Sequence, residues 1–386
     1  MSFQALKHLL KMCAEKTPDL DNPYLTLRRV FIDFPYSKSM KIHTCITLLF
    51  HFLSLILEIH YLVTNFSFEL SSRYGCMMCL MTYVISVKIF VIMFAKPLKI
   101  LEEQRELHFW KIGDSSHAMQ QSVATEALQV KKQTYFALSC FVLLAVILYP
   151  VWGHVNDLFM FSQVYEKYFG DWSVIPYYFY VFTFMSSSFN SFQLPGVILY
   201  FTLHLNLQIS LINEKITKIS GENYCQDEVF KQLRDCISYH VALERWMARL
   251  IDLTKTAMPV FILLGALSSI AVSFFVLYSL ENTRFILKIR LTVVAICNVL
   301  IVATFAKAGQ RFSDKTGLIF DAIATCPWYS WNVPNRKIVL IFMANCLKPK
   351  TFSWAGITLN YQFAIKIVRT SCSYALVLYK LRNGNY

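Results

Sequence analysis

A run of hydroxyl and thiol side chains, Thr370-Ser371-Cys372-Ser373-Tyr374, interrupts the last apolar stretch of the chain, Gly356 to Leu381. Lipid contact there would demand apolar groups, so the chemistry this seam supports is hydration: a helix that keeps water on one face lines a pore. Other reactive residue types are sparse. Cys76 and Cys79 form a C-x-x-C whose spacing permits one redox or metal pair, or two small packing residues, and no second ligand pair accompanies it. His43, His51 and His60 lack the i, i+4 spacing that brings two imidazoles to one metal, and read as packing or interfacial residues. With neither a phosphate-cradling glycine loop nor a nucleophile–base constellation legible, the expectation is no enzyme and no cofactor.

Two ionisable residues, Glu58 and Lys88, fall inside apolar runs, where charge is expensive. Counted from the outer ends of their runs they differ by about 13 Å in depth at 1.5 Å per residue. Direct pairing is therefore not expected; separate internal partners or snorkelling are. Aromatic and methionine side chains concentrate in Tyr177-Tyr178-Phe179-Tyr180-Val181-Phe182 and Phe184-Met185-Ser186-Ser187-Ser188-Phe189, with Met77, Met78, Met81, Tyr83, Tyr149 and Trp152 at comparable depth. Such a lining suits a small apolar ligand with one weak acceptor, because methionine adapts to shape and a few hydroxyls fix orientation. For Tyr177, Tyr178 and Trp152 an interfacial aromatic belt fits equally. The expected ligand contacts are Met78, Met81, Tyr83, Tyr149, Tyr178, Phe182, Met185, Ser186 and Phe189.

These residues need a membrane scaffold to position them. Of 386 residues, 56% are hydrophobic and 16% charged, against about 45–50% and 25% in soluble domains. Runs of the roughly 20 residues that cross a bilayer begin near Ile42, Tyr74, Tyr135, Ile175, Met258, Phe285 and Ile357, so the reading is an all-α protein of seven transmembrane helices. Lys and Arg number seven in 1–41, six in 96–132, seven in 210–257 and seven in 307–350. The alternate connections hold one, one, three and two, in 66–73, 153–174, 281–290 and 379–386. Basic loops stay cytoplasmic, which predicts a cytoplasmic amino terminus and an external carboxyl terminus. Anionic lipid favours that arrangement by about 1 kcal/mol per basic residue, so the net charge of +13 calls for membrane lipid and not nucleic acid. Charges and Pro18, Pro23 and Pro35 break up 1–41, so the first span is expected to serve as an uncleaved anchor. Eleven scattered cysteines argue against a disulfide framework. Asn65-Phe66-Ser67, in the first external loop, is a candidate glycosylation sequon.

The expected order is a cytoplasmic segment 1–41, helices one to four with an outer pocket in 42–204, and a cytoplasmic helical hairpin in 205–257. Helices five and six follow in 258–306, a second cytoplasmic segment in 307–350, and a pore-lining helix with external tail in 351–386. The hairpin reading rests on apolar residues at helical spacing, Leu207, Leu211, Ile216 and Ile219, then Val229, Leu233, Ile237, Val241 and Leu250, on either side of Gly221-Glu222-Asn223. The charges between them are nearly balanced and read as a solvated face or as subunit contacts. Ser313–Thr325 reads as amphipathic, and the apolar helix Arg336–Leu347 is too short to cross a bilayer. It is expected to pack on the hairpin.

The segment from Gly309-Gln310 to Cys326-Pro327-Trp328-Tyr329, with Arg336, Pro349, Gly356 and Ser373-Tyr374, resembles the insect odorant receptors over the carboxyl-terminal third. The resemblance implies a plasma-membrane, ligand-gated cation channel of sensory dendrites. Its tuning subunits join a shared co-receptor in a heterotetramer, the cytoplasmic helices form an anchor, and the last helix lines the pore. On that pattern Cys372, Ser373, Leu376 and Arg369 would face the pore, and the short fourth-to-fifth connection points to a tuning subunit that binds a small volatile. Here Cys372 and Ala375 replace a Tyr and a Phe of the family's usual seam, which would widen or reshape the constriction. Lys366 and Arg369 would oppose cations if they faced the pore; facing a neighbouring subunit, where they could pair with acidic groups, is the preferred reading. Alternatives are a gustatory receptor of the same superfamily, of whose terminal motif half is present, and more remotely a secondary transporter.

Overall fold

The computed structural model describes residues 22–148, 159–219, 225–282 and 285–383. Tyr149, Trp152, Gly221-Glu222-Asn223 and the segment 1–21 fall outside them. The principal helices are α1 Lys38–Thr64, α2 Phe68–His108, α3 His117–Leu148, α4 Phe161–Phe169, α5 Val174–Lys218, α6 Gln226–Asn282, α7 Phe285–Thr325, α8 Val333–Cys346 and α9 Tyr361–Asn383. Local chemistry sets several starts. The hydroxyls of Ser37 and Ser67 accept from Met40 N and Leu70 N, and the Asn332 side chain accepts from Asn335 N, ahead of a proline in the first turn of α8.

The expected seams between membrane helix and hairpin do not exist. α5, at 45 residues, and α6, at 57, are roughly 68 and 86 Å long at 1.5 Å per residue, far more than the ~30 Å hydrocarbon layer. Each therefore runs out of the membrane unbroken, and Pro195 and Pro259 lie inside them without ending them. Ser313–Thr325 is likewise the end of α7. At the basic end, Leu233, Leu243 and Trp246 of α6 share one core with Ile319 of α7 and Val339 and Phe342 of α8. Trp246 Nε1 donates to Leu101 O at 3.1 Å, tying α2 into it.

Among the described residues, six helical stretches are long and apolar enough to cross a membrane. Their burial differs sharply: 89% of the apolar window in the α5 stretch is buried, against 22% in α1, α6 and α7. α5 is thus the central post, apolar around its whole circumference as a buried helix must be. Gly196 permits a close crossing there, since a Cβ would sit 2.4 Å from the Phe31 ring. The 23-residue α9 is long enough, at about 35 Å, but Lys366, Arg369, Lys380 and the hydroxyl seam keep its composition from marking it.

α9 also begins later than the hydropathy suggests. Instead of helix from Ile357, the chain forms a two-stranded hairpin pairing Ser353 with Thr358 and Trp354 with Ile357. Its central residues Ala355 and Gly356 have φ of 48° and 79°, the left-handed pair that a tight hairpin requires. Asn360 Oδ1 then accepts from Phe363 N at 2.9 Å, starting α9. A further element, α4, lies in the 153–174 segment read as a loop. Its Phe161 stacks on Tyr180 of α5 with centroids 3.9 Å apart, and Tyr165 shares a 2.6 Å hydrogen bond with Ser54 of α1.

Candidate ligand cavity and pore face

A cavity of about 160 Å³ runs between α2, α5, α6 and α7. Along α2 its lining extends from Met77 to Leu98, roughly 32 Å of depth, and at the basic end it reaches Leu359, Phe363 and Ile367, at the start of α9. The walls are mainly aliphatic and aromatic. Most of their hydroxyls are committed to backbone: Ser188 donates to Phe184 O, Thr254 to Ile251 O, Ser268 to Gly265 O and Tyr83 to Ser191 O. For scale, an engineered apolar cavity of about 150 Å³ admits benzene.

Of the residues expected to contact ligand, Met81 and Tyr83 line this cavity and the others described do not. Tyr178 and Phe182 are 66% and 64% exposed on the perimeter of the chain. Phe189 is buried, stacked on Phe31 and packed against Phe141. Met78 and Met185 are half-buried against neighbouring clusters, and Ser186 donates to Thr183 O at 2.8 Å. The reason is helical phase: Phe184, Ser187, Ser188 and Ser191 line the cavity, about 140° around α5 from Phe182, Met185 and Phe189 at 100° per residue. Aromatics on every side of α5 gave no phase in the sequence. The contributions of Phe261, Asn298 and Phe305 carried no local signal either, because α6 and α7 meet the others only on folding.

Mid-membrane, the cavity wall touches a buried polar cluster. Lys88 Nζ donates to Thr47 Oγ1 at 3.1 Å and Ser187 Oγ at 3.2 Å, while His51 Nε2 lies 2.9 Å from Ser187 Oγ and 3.1 Å from Thr183 Oγ1. Lys88 thus has internal partners and does not snorkel. Cys76 and Cys79 are free thiols, Cys76 buried in the aromatic cluster beside α4. Asn65 is exposed in the α1–α2 connection, where its amide donates to Tyr61 O and accepts from Lys167.

On α9, Ile367, Ser371 and Ala375 recur every fourth residue and are buried, where the helix packs on α6 and α7. Arg369, Cys372, Ser373 and Leu376 are exposed and centre about 150° away. Lys366 is exposed as well, and among the described residues neither it nor Arg369 pairs with a carboxylate. The start of the segment that carried the resemblance seats the chain leading into α9, and the rest of it braces the basic end. A Cβ on Gly309 would lie 1.9 Å from Leu359 O. Phe312 stacks on Phe352 at 4.6 Å, Cys326 Sγ donates to Ile216 O, and Arg336 Nε donates to Trp331 O. Outside the membrane spans, burial lowers the affinity of the His240 imidazole for a proton, with Lys350 adding to the shift and Glu244 opposing it. Burial also pushes the Cys346 thiol up to about 12.

These features define a multi-pass helical membrane protein with an internal apolar cavity and one helix that leaves a polar face uncovered. The profile of the 7tm odorant receptor family matches residues 75–372, and the chain belongs to that family, whose members are receptors and not enzymes. The fold is similar to that of the insect olfactory receptor OR5 from Machilis hrabei, with a TM-score of 0.71 at 11% identity over 98% of this chain and 97% of that one. It is also similar to the same receptor in complex with eugenol, with a TM-score of 0.70 at 12% identity over 97% and 99%. No curated protein sequence matches.

Proposed function

We propose that the chain is the tuning subunit of a heteromeric, non-selective cation channel gated by a small hydrophobic volatile, assembled with the odorant co-receptor in the plasma membrane of sensory dendrites. The observation that carries this reading is the continuity of one cavity from Met81, Phe184 and Ser187 to Phe363 and Ile367 of α9. A ligand that prefers one arrangement of α2, α5 and α6 thereby biases the position of the helix beyond them, by its differential affinity for the two states. The eugenol complex of a structural relative supports a ligand of single-ring size. The seven-residue α5–α6 connection, 219–225, supports the tuning role that the family resemblance implies.

In this reading the basic end is cytoplasmic, α8 with the end of α5 and the start of α6 forms the anchor, and Cys372, Ser373 and Leu376 contribute to the pore wall. Arg369 and Lys366 meet a neighbouring subunit. Asn65 is then external and available for glycosylation. Co-expression with the co-receptor should yield currents evoked by volatiles. Silence across a broad panel, with the receptor verified at the surface, sinks the proposal; a cytoplasmic carboxyl-terminal tag, tested by protease accessibility, sinks the orientation.

A further inference from the structure

We propose that the cavity selects ligands bearing a carbonyl or carboxylate oxygen, which docks on Ser187 because that hydroxyl stands one hydrogen bond in front of the buried Lys88 ammonium. The inference rests on the receptor reading above and names the ligand class.

Lys88 is 0% exposed and His51 1%. Lys88 has three N–H donors and two hydroxyl acceptors, Thr47 and Ser187, and among the described residues no carboxylate pairs with it. A cation held in hydrocarbon without a counter-charge is costly, and the cost falls when an acceptor approaches. Donor counting shows where. Thr183 Oγ1 donates to Phe179 O at 2.8 Å and Ser187 Oγ to Thr183 O at 3.0 Å. Both hydroxyl hydrogens being spent, His51 presents an Nε2 proton to them, and its buried Nδ1 is left without a partner. Ser187 Oγ therefore receives from Lys88 and His51 together, which polarises its own O–H.

Ser187 is also the member of the cluster that lines the cavity. Turning its hydrogen from Thr183 O to a ligand oxygen leaves that carbonyl served by Ser186, which donates to it at 2.8 Å. The swing abandons no buried acceptor. Other cavity hydroxyls, such as Ser188 and Thr254, donate to their own helix and have no cation behind them.

The test uses matched pairs, ethylbenzene with phenylacetaldehyde, octane with octanal and limonene with carvone, on the full receptor co-expressed with its co-receptor and quantified at the surface. The carbonyl member should have an EC50 about tenfold lower, the upper factor for one net hydrogen bond between neutral groups, strengthened here by the cation behind Ser187. Lys88→Met should bring the ratio to within about twofold by weakening the carbonyl response. Ser187→Ala, which removes one oxygen and no charge, should do the same and covers the case that Lys88→Met misfolds. Equal potencies in the native receptor, or a ratio that survives both substitutions, overturns the inference. A ratio lost in Ser187→Ala but kept in Lys88→Met overturns the role of the cation. Silence of the native receptor to the whole panel refutes the receptor reading itself.

Discussion

Replacing Gly309 by alanine should unseat α9. The added Cβ would lie 1.9 Å from Leu359 O, where an ordinary contact begins at 3.4 Å, so the two backbones must part by about 1.5 Å. The obstructing atom is a carbonyl oxygen and not the mobile tip of a side chain. Leu359 is held in turn by its N–H on Phe352 O at 2.8 Å, and Phe352 by its stack on Phe312. Overpacking a tight site costs about 1–3 kcal/mol; with both sides fixed the upper figure applies, about a hundredfold in the population of the seated state. Thermal unfolding of the purified full-length receptor should shift down by several degrees, and ligand-evoked currents should fall at unchanged surface density. Gly75→Ala is the control, because nothing lies within 4 Å of its added Cβ. If Gly309→Ala unfolds and conducts as the native receptor does, the close crossing does not hold α9 in place.

Met81→Ala and Phe184→Ala should raise the EC50 of an identified ligand several-fold, whereas Phe182→Ala, on the exposed side of α5, should leave dose–response curves unchanged. Tryptophan at Cys372 should alter conductance or ion selectivity without moving the EC50; a pure potency change would argue against a pore-facing α9 seam. His240 is buried with a lowered proton affinity, so its contribution to stability is intact above its unfolded pKa of about 6.5 and is lost as the pH falls through and below it. His240→Gln should flatten the dependence of thermal unfolding on pH between about 7 and 5. Ala355, with φ of 48°, carries left-handed strain, and Ala355→Gly should stabilise the receptor by up to about 1 kcal/mol, read as a higher unfolding temperature.

The all-α membrane class and six of the seven expected spans could be read along the chain, because each depends on composition over windows of about twenty residues. The polar seam of α9 was legible for the same reason: Arg369 to Tyr374 form one polar run, with Ile367-Val368 before it and Ala375 to Leu378 after it apolar. The start of α9 was not, since hydropathy counts Ile357 as membrane while the left-handed pair Ala355-Gly356 turns it into a strand. α4 was missed because nine residues with Glu166 and Lys167 among them have too little apolar length to register.

The sequence by itself therefore determined that this protein crosses a membrane, concentrates its basic residues in alternate connections and keeps one polar-faced helix. Only the tertiary structure decided which side of α5 faces the cavity, and so that Phe184 and Ser187 line it in place of Phe182 and Met185. Periodicity cannot choose a face on a helix that is apolar all round; the neighbours choose it, and Lys88, His51 and Ser187 meet only because α1, α2 and α5 pack together at mid-membrane depth.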